Sequence, residues 1–466
     1  MASWTAVLIL ANVLADVAVG SPLMALPQLL DRLGTDQAAW VTSSVMLAGA
    51  IWSPVLARSA DIFGKRRVLV STLLLAGAGA LICLAAPNIW VFVVGRLLQG
   101  AALGTVFLSV ALVLQICTPA VAMTVVGLVT SGSSVVGIVE PFVMQPLIEA
   151  FGPDSVFVAA ALLAGTAALC VRVVIPESPV RRPGRIDGRG AFLLGGGLAA
   201  VLGYVSLGSD SGWLSAGMVA LLTTGAVALA CWVYFALRTD EPIVDIRALG
   251  PTIVLTLVTV ALAAGSFRSM LHLTSLVAQV TPERGLGYGL GSGEGLAALL
   301  AAPNAGIVVG GTCAGWLAGR AGPALPLLGG IVLGTAATFG MLLGVSHLPL
   351  AIVCGALLGI AAGAVAASGF SMTSDADEPE RQGTTAGLVS VAMALGSVVV
   401  TVLGGEVLKA TQSDGPGPPA GTGTGVLLYV VIAGSLFALA AVPAAILVRD
   451  RSPLTTRSGR LGRSAA

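Results

Sequence analysis

The chain has 466 residues, 56% of them hydrophobic and 10% charged, with 61 glycines and a formal net charge of +1. Soluble proteins average about 25% charged residues, so this chain lacks the polar surface that two or three water-facing domains would need; its mean hydropathy of +0.98 agrees. Near-neutral charge also excludes a polybasic nucleic-acid surface and an acidic disordered tail. What remains is an all-α polytopic membrane protein, whose wealth of Ala, Gly, Val and Leu suits helices that approach one another closely in a bilayer.

A membrane-crossing helix needs about 20 mostly apolar residues. Fourteen such segments are predicted, near 4–26, 38–57, 68–86, 89–114, 121–147, 155–175, 190–208, 213–236, 252–279, 295–318, 323–345, 348–371, 383–408 and 424–448. The N-terminus has no basic leader and no cleavage motif, so it reads as the start of a retained first span. Residues 176–189 are polar, basic and proline-rich, as in a connection between helix bundles. Residues 411–423 read as a flexible loop and 449–466 as a disordered basic tail. With an inside N-terminus, eighteen of the 23 lysines and arginines fall on the cytoplasmic side, against Arg32, Arg284 and Lys409 opposite. That bias favours both termini in the cytoplasm of a multi-pass protein of the cell membrane. Cys83, Cys117, Cys170, Cys231, Cys313 and Cys354 are scattered in apolar runs and read as small buried side chains, with neither a metal site nor a disulfide framework.

Between the second and third spans the sequence runs Ala57-Arg58-Ser59-Ala60-Asp61-Ile62-Phe63-Gly64-Lys65-Arg66-Arg67, and a related pattern recurs from Gly315 to Gly322. Parallel repeats of this kind relate the two halves of some transporters. The first copy matches the signature G-x-L-a-D-r-x-G-r-k at Asp61, Gly64, Lys65 and Arg66. Arg96-Leu97-Leu98-Gln99-Gly100 matches a second pattern, R-x-x-q-G. On these residues the chain resembles the major facilitator superfamily. Its fourteen predicted spans and the segment Ile186–Ala191 leading into the seventh make it similar to the fourteen-helix drug:proton antiporter branch. The resemblance implies a major facilitator fold: a six-helix bundle over 1–175, a cytoplasmic linker with two inserted helices over 176–250, a second six-helix bundle over 251–448, and a cytoplasmic tail, 449–466. Two departures stand out. Glu140 precedes Pro141 where the family's fifth-helix motif carries glycine, and Asp16 lies two residues before the position nine residues ahead of Pro27 where the branch carries an acid, here Ala18.

Ionisable groups within a bilayer cost roughly 2.5–3.5 kcal/mol each on insertion scales, so each one has to be explained. Glu140, deep in the fifth span, reads as a proton carrier or a contact for a cationic substrate, or else as a structural partner of Arg96. Asp16 in mid-span, with Asn12 one turn away, reads as a second proton site or as half of a buried polar pair. Arg96 and Gln99 share a helix face; the resemblance implies proton coupling for Arg96, and a structural salt bridge to Glu140 or Asp16 competes. Arg268 and His272 are one turn apart on the ninth span, with Ser275 and Gln279 continuing the stripe. Arg268 is a candidate contact for a substrate anion, and His272 a proton relay or a hydrogen-bonded core residue. Asn304, after Pro303, is a candidate lining residue, while Glu294 and Glu406 lie near span ends where water can reach them. The resemblance implies a gate at Asp61, Gly64, Lys65 and Arg66.

The alternating glycines of 285–295 satisfy no phosphate-loop pattern, and with two histidines and no HExxH or GxSxG an enzyme is not expected. No cofactor, metal or nucleic acid is expected. The expectation is a monomeric, proton-coupled exporter of small amphipathic drugs, antibiotics or related metabolites, working by alternating access in the lipid bilayer. The alternative is an exporter or importer of one metabolite, siderophore or lipid-type substrate.

Overall fold

The computed structural model describes residues 2–34, 38–178, 187–240, 242, 244, 246–278, 287–288, 294–375, 382–411 and 423–451. Most of the predicted loop 411–423, residues 179–186 of the linker, residues 452–466 of the tail, and the glycine run apart from Gly287, Tyr288 and its last two residues lie outside them. The described residues are helical almost throughout. Seventeen α-helices follow in order: α1 Ala2–Met24, α2 Leu26–Leu33, α3 Ala38–Phe63, α4 Lys65–Leu84, α5 Ile89–Gln99, α6 Gly104–Ile116, α7 Pro119–Phe151, α8 Ser155–Val174, α9 Gly188–Ser211, α10 Ala216–Ala236, α11 Pro251–Ala278, α12 Glu294–Ala321, α13 Ala324–Gly344, α14 Leu348–Asp375, α15 Gln382–Ala410, α16 Gly423–Leu439 and α17 Ala441–Arg451. Twelve segments among the described residues are long and apolar enough to cross a membrane. The other two predicted segments are occupied by α3 and α12, helices of 26 and 28 residues that are not among those twelve.

Some predicted spans are not single rods. The first turns at Ala25 into the short α2, which starts on Leu26-Pro27 and is closed by Gly34 with φ +60°. Its Arg32 pairs with Asp154 at the start of α8 and donates to the Leu84 carbonyl at the end of α4, 2.8 Å away. The fourth span tightens into a 3-10 turn, Gly100–Leu103, between α5 and α6. The fifth, α7, is 33 residues long. Between α3 and α4 there is one residue, Gly64, at φ +102°, a conformation that costs an L side chain strain. The signature loop is thus a single-residue hinge between two helices.

Helices α1 and α3–α8 pack on one another, as do α11–α17, and the two groups meet chiefly along α3 against α15 and α7 against α12. Helix α9 leans on both α3 and α15, with Leu194 and Leu198 packed among Val55, Leu388, Val391 and Leu395. Its partner α10 packs on α9 and exposes Val219, Val227, Val233 and Tyr234, a surface suited to lipid. The expectation of six buried cysteines is corrected at four of them, Cys117, Cys170 and Cys231 being half-buried. All six are free, Cys83 and Cys354 are buried, but Cys313 is exposed because it lies on the outer stripe of α12 with Val309 and Trp316.

Candidate functional site

At one end of the molecule the signature residues join the two helix groups. Asp61, at the end of α3, is buried; its Oδ1 accepts from Lys65 Nζ at 3.1 Å. Its Oδ2 accepts from the backbone amide of Thr384 on α15 at 3.0 Å and from the Thr384 hydroxyl at 2.8 Å. Lys65 is fully buried, so the pair is shielded from screening by salt. The first turn of α4 is capped from the chain that follows α8: the Lys65 amide donates to Ser178 Oγ at 3.1 Å and the Arg66 amide to Glu177 Oε1 at 3.0 Å. A carboxylate at a helix N-terminus satisfies open amides and suits the helix dipole, and Glu177 also lies 3.7 Å from the Nε atoms of Arg66 and Arg67. Arg66 further donates to the Ile175 carbonyl at 3.1 Å.

Toward the same end, α7 and α12 cross at glycine. A Cβ on Gly127 would stand 2.2 Å from the Gly311 carbonyl oxygen, and one on Gly315 would stand 2.5 Å from the Met123 carbonyl oxygen. Bare backbone is therefore required for the helices to touch.

Deeper in the molecule the predicted acids come together. Asp16 of α1 faces the Ser133 hydroxyl of α7, lies within electrostatic reach of Arg268 of α11, and has a buried Oδ2 with no hydrogen bond. Glu140 is buried, accepts a short hydrogen bond from the Ser21 hydroxyl of α1, and is within electrostatic reach of Asp16. Gly20 makes room for it: a Cβ there would stand 3.2 Å from each carboxylate oxygen. Arg268 and His272 are exposed although they sit deep in a 28-residue helix. Ser269, next along the chain, is turned inward and donates to the Tyr429 hydroxyl at 2.8 Å, which fixes the rotation of α11.

Asn12, Arg96 and Gln99 are committed to packing. Asn12 donates to the Val129 carbonyl at 2.9 Å and accepts from Ser109 at 3.2 Å, tying α1 to α6 and α7. Arg96 is buried and donates to the Ala18 carbonyl at 2.6 Å and to Gln99 Oε1 at 2.7 Å. It therefore braces α1 next to the acids, while the Glu140 carboxylate is bonded to Ser21. Asn304 packs against Gly137, one turn before Glu140 and on the facing helix. Glu406 is half-buried on α15, and Glu294 opens α12. Sequence reasoning missed Ser21, Ser133, Glu177, Ser178 and Thr384. Hydroxyl residues are common in membrane helices, and nothing in their spacing marks these as partners of charges.

Comparison with known proteins bears on what this arrangement belongs to. The family model described as Major Facilitator Superfamily matches residues 8–399 and 273–464. A multidrug resistance protein B homolog from Mycobacterium tuberculosis is 30% identical over 415 residues, covering 85% of this chain and 74% of that one. The multidrug resistance protein Stp from the same organism is 26% identical, over 82% and 70%. A lincomycin resistance protein from Streptomyces lincolnensis is 28% identical over 58% of each chain. Among solved structures, the human organic anion transporter MFSD10 (TETRAN) aligns with a TM-score of 0.66 at 17% identity, covering 95% of this chain and 99% of that one. The E. coli fucose:proton symporter FucP aligns at 0.62 and 16%, over 95% and 98%. These structures share the fold. With its many apolar helices and this match, the chain is a multi-pass membrane protein belonging to the Major Facilitator Superfamily, whose members are transporters of small molecules and not enzymes.

Proposed function

We propose that the chain is a proton-coupled antiporter that exports small amphipathic drugs, antibiotics or related metabolites by alternating access. In this reading it has fourteen spans, α3 and α12 included, and cytoplasmic termini. The bundles 1–175 and 251–448 rock about the central site, and the hairpin α9–α10 rides against their seam. It works as a monomer. The observation that carries the reading is the pair Asp16 and Glu140: two carboxylates within electrostatic reach, each beside a serine hydroxyl, in the interior of a membrane protein. Two negative charges in so apolar a place are costly unless a proton or a cationic group accompanies them. That is the exchange an antiporter needs.

Protonation from outside neutralises the pair, and substrate arriving from the cytoplasm displaces the proton. Arg96 positions α1 through the Ala18 carbonyl, two residues from Asp16. Arg268, His272 and Asn304 contribute to the substrate space, while Asn12 and Gln99, the latter through Arg96, brace the wall that carries Asp16. Asp61, Gly64, Lys65 and Arg66 form the cytoplasmic gate, a role supported by the bonds that Thr384 of the other helix group gives to Asp61. Similarity to multidrug and antibiotic resistance proteins supports export of such compounds. The test is an efflux screen across chemically diverse drugs in a sensitised host, with Asp16→Asn and Glu140→Gln beside wild type. Resistance to at least one compound, lost in both variants at wild-type protein levels, is expected. Full resistance in both would exclude the mechanism.

A further inference from the structure

Asp16 and Arg268 present opposite charges from the two helix groups without bonding to each other. The Asp16 Oδ2 is buried and accepts no hydrogen bond. Arg268 is exposed deep within α11 and, among the described residues, forms no hydrogen bond or ion pair within bonding distance, yet Asp16 feels its charge. A guanidinium at that depth has to be hydrated or matched by an anion, and a buried carboxylate oxygen without a donor is costly. Each group is held where it is: α1 by Arg96 and Asn12, and α11 by the buried Ser269–Tyr429 bond. The donors of Arg268 and the unbonded oxygen of Asp16 thus belong to opposite helix groups, with Asp16 within electrostatic reach of Arg268. Glu140 extends the acidic wall, and His272, exposed one turn from Arg268, extends the opposite one.

We infer that the preferred substrates are zwitterions: amphipathic molecules with a protonated amine that docks at Asp16 and Glu140 and a carboxylate, or similar anion, that docks at Arg268. Such a ligand satisfies both walls at once. A simple cation leaves Arg268 unmatched, and a simple anion leaves Asp16 without its donor. A site built with both signs discriminates against molecules lacking either one, because the unmatched group stays desolvated.

This inference deepens the export reading and rests on it for direction, but binding tests it separately. Two zwitterionic scaffolds serve as probes: the rigid ciprofloxacin and the flexible baclofen, each compared with its methyl ester (a cation) and its N-acetyl derivative (an anion). Affinities are measured calorimetrically at pH 7.4 on the full chain in nanodiscs, for wild type, Arg268→Gln and Asp16→Asn, with monodispersity and melting temperature as folding controls. Wild type is expected to bind at least one zwitterion about ten-fold or more tighter than both derivatives, the scale of one lost charge-assisted contact. Arg268→Gln should bring that zwitterion down to the level of its ester and leave the ester unchanged. Asp16→Asn should weaken zwitterion and ester and spare the N-acetyl form. Equal affinity across each series, a preference for the esters, or no binding of either zwitterion to folded protein would overturn the inference. Zwitterion binding without proton-driven efflux would count against the export reading alone, and proton-driven efflux confined to simple cations would count against this inference alone.

Discussion

Thr384 of α15 gives both its backbone amide and its hydroxyl to one oxygen of Asp61 on α3, at 3.0 and 2.8 Å. The other oxygen takes the ammonium of the fully buried Lys65. A carboxylate at the end of one helix thereby holds the N-terminal turn of a helix in the other group, where the helix dipole favours negative charge.

Asp61→Asn removes that charge and loosens the contact. Losing charge-assisted hydrogen bonds of this kind costs about 1.5–3 kcal/mol, enough to move a two-state population roughly ten-fold or more. Spin labels at the exposed positions Arg67 of α4 and Arg320 of α12, one in each helix group, read the change. Double electron–electron resonance is expected to show a longer distance in Asp61→Asn and to leave it unchanged in Arg172→Gln, a substitution of another basic residue. An unchanged distance in Asp61→Asn would remove Asp61 from the gate.

The crossing of α7 and α12 makes a steric prediction. Gly127→Ala puts a methyl group where the Gly311 carbonyl oxygen stands, and overpacking of this degree costs about 1–3 kcal/mol. Lower thermal stability and reduced transport are expected, measured by melting in nanodiscs and by uptake into vesicles. Gly405→Ala, at a glycine on α15 with open space around it, is the control and should behave as wild type.

The cap on α4 predicts a smaller effect. Glu177→Ala strips one acceptor from the Arg66 amide and the partner from two half-exposed or exposed guanidinium groups. Caps contribute about 0.5–2 kcal/mol, and surface ion pairs add little. A modest fall in melting temperature with transport largely retained is expected. Complete loss of transport would mean that the linker controls the gate directly.

Arg96 supplies a fourth case. Arg96→Ala leaves the Ala18 carbonyl and Gln99 Oε1 without their donor in a buried site, at about 1–3 kcal/mol for each unmet group. Both bonds leave one nitrogen, Nη1, so the three-donor ammonium of Arg96→Lys can remake them only in part because its shorter chain sits farther from both acceptors. The expected order of transport is wild type, then Lys, then Ala, with melting temperature falling in the same order. If Lys matched wild type in both, the reach of the guanidinium would not be required there.

Much of the fold is legible in the sequence because a bilayer demands long apolar helices, and such runs stand out between charge clusters. The irregularities are less legible. The 3-10 turn at Gly100–Leu103 lies inside an apolar segment, and the bend at Ala25 falls at the last residues of the predicted first span, where Pro27 marks a boundary but not the direction of the turn. Asp16, Glu140, Arg96 and Arg268 could be picked out because charge is rare in membrane helices. Their partners could not, since Ser21, Ser133 and Thr384 are ordinary hydroxyl residues distinguished only by what the fold brings next to them. Nor could the sequence say that Arg96 bonds the Ala18 carbonyl, because the choice between a carboxylate and a backbone oxygen is made by how α1 and α5 pack.

The central claim is that the pair Asp16 and Glu140 exchanges protons for substrate, and substrate-driven proton movement tests it most directly. Wild type, Asp16→Asn and Glu140→Gln are reconstituted in proteoliposomes loaded with a pH-sensitive dye, and a compound to which the wild type confers resistance is added on one side. The account predicts a dye response in wild type that scales with the substrate gradient and is abolished in at least one variant that still binds the compound. Substrate transport with no proton movement in wild type, or undiminished coupling in both variants, would contradict it.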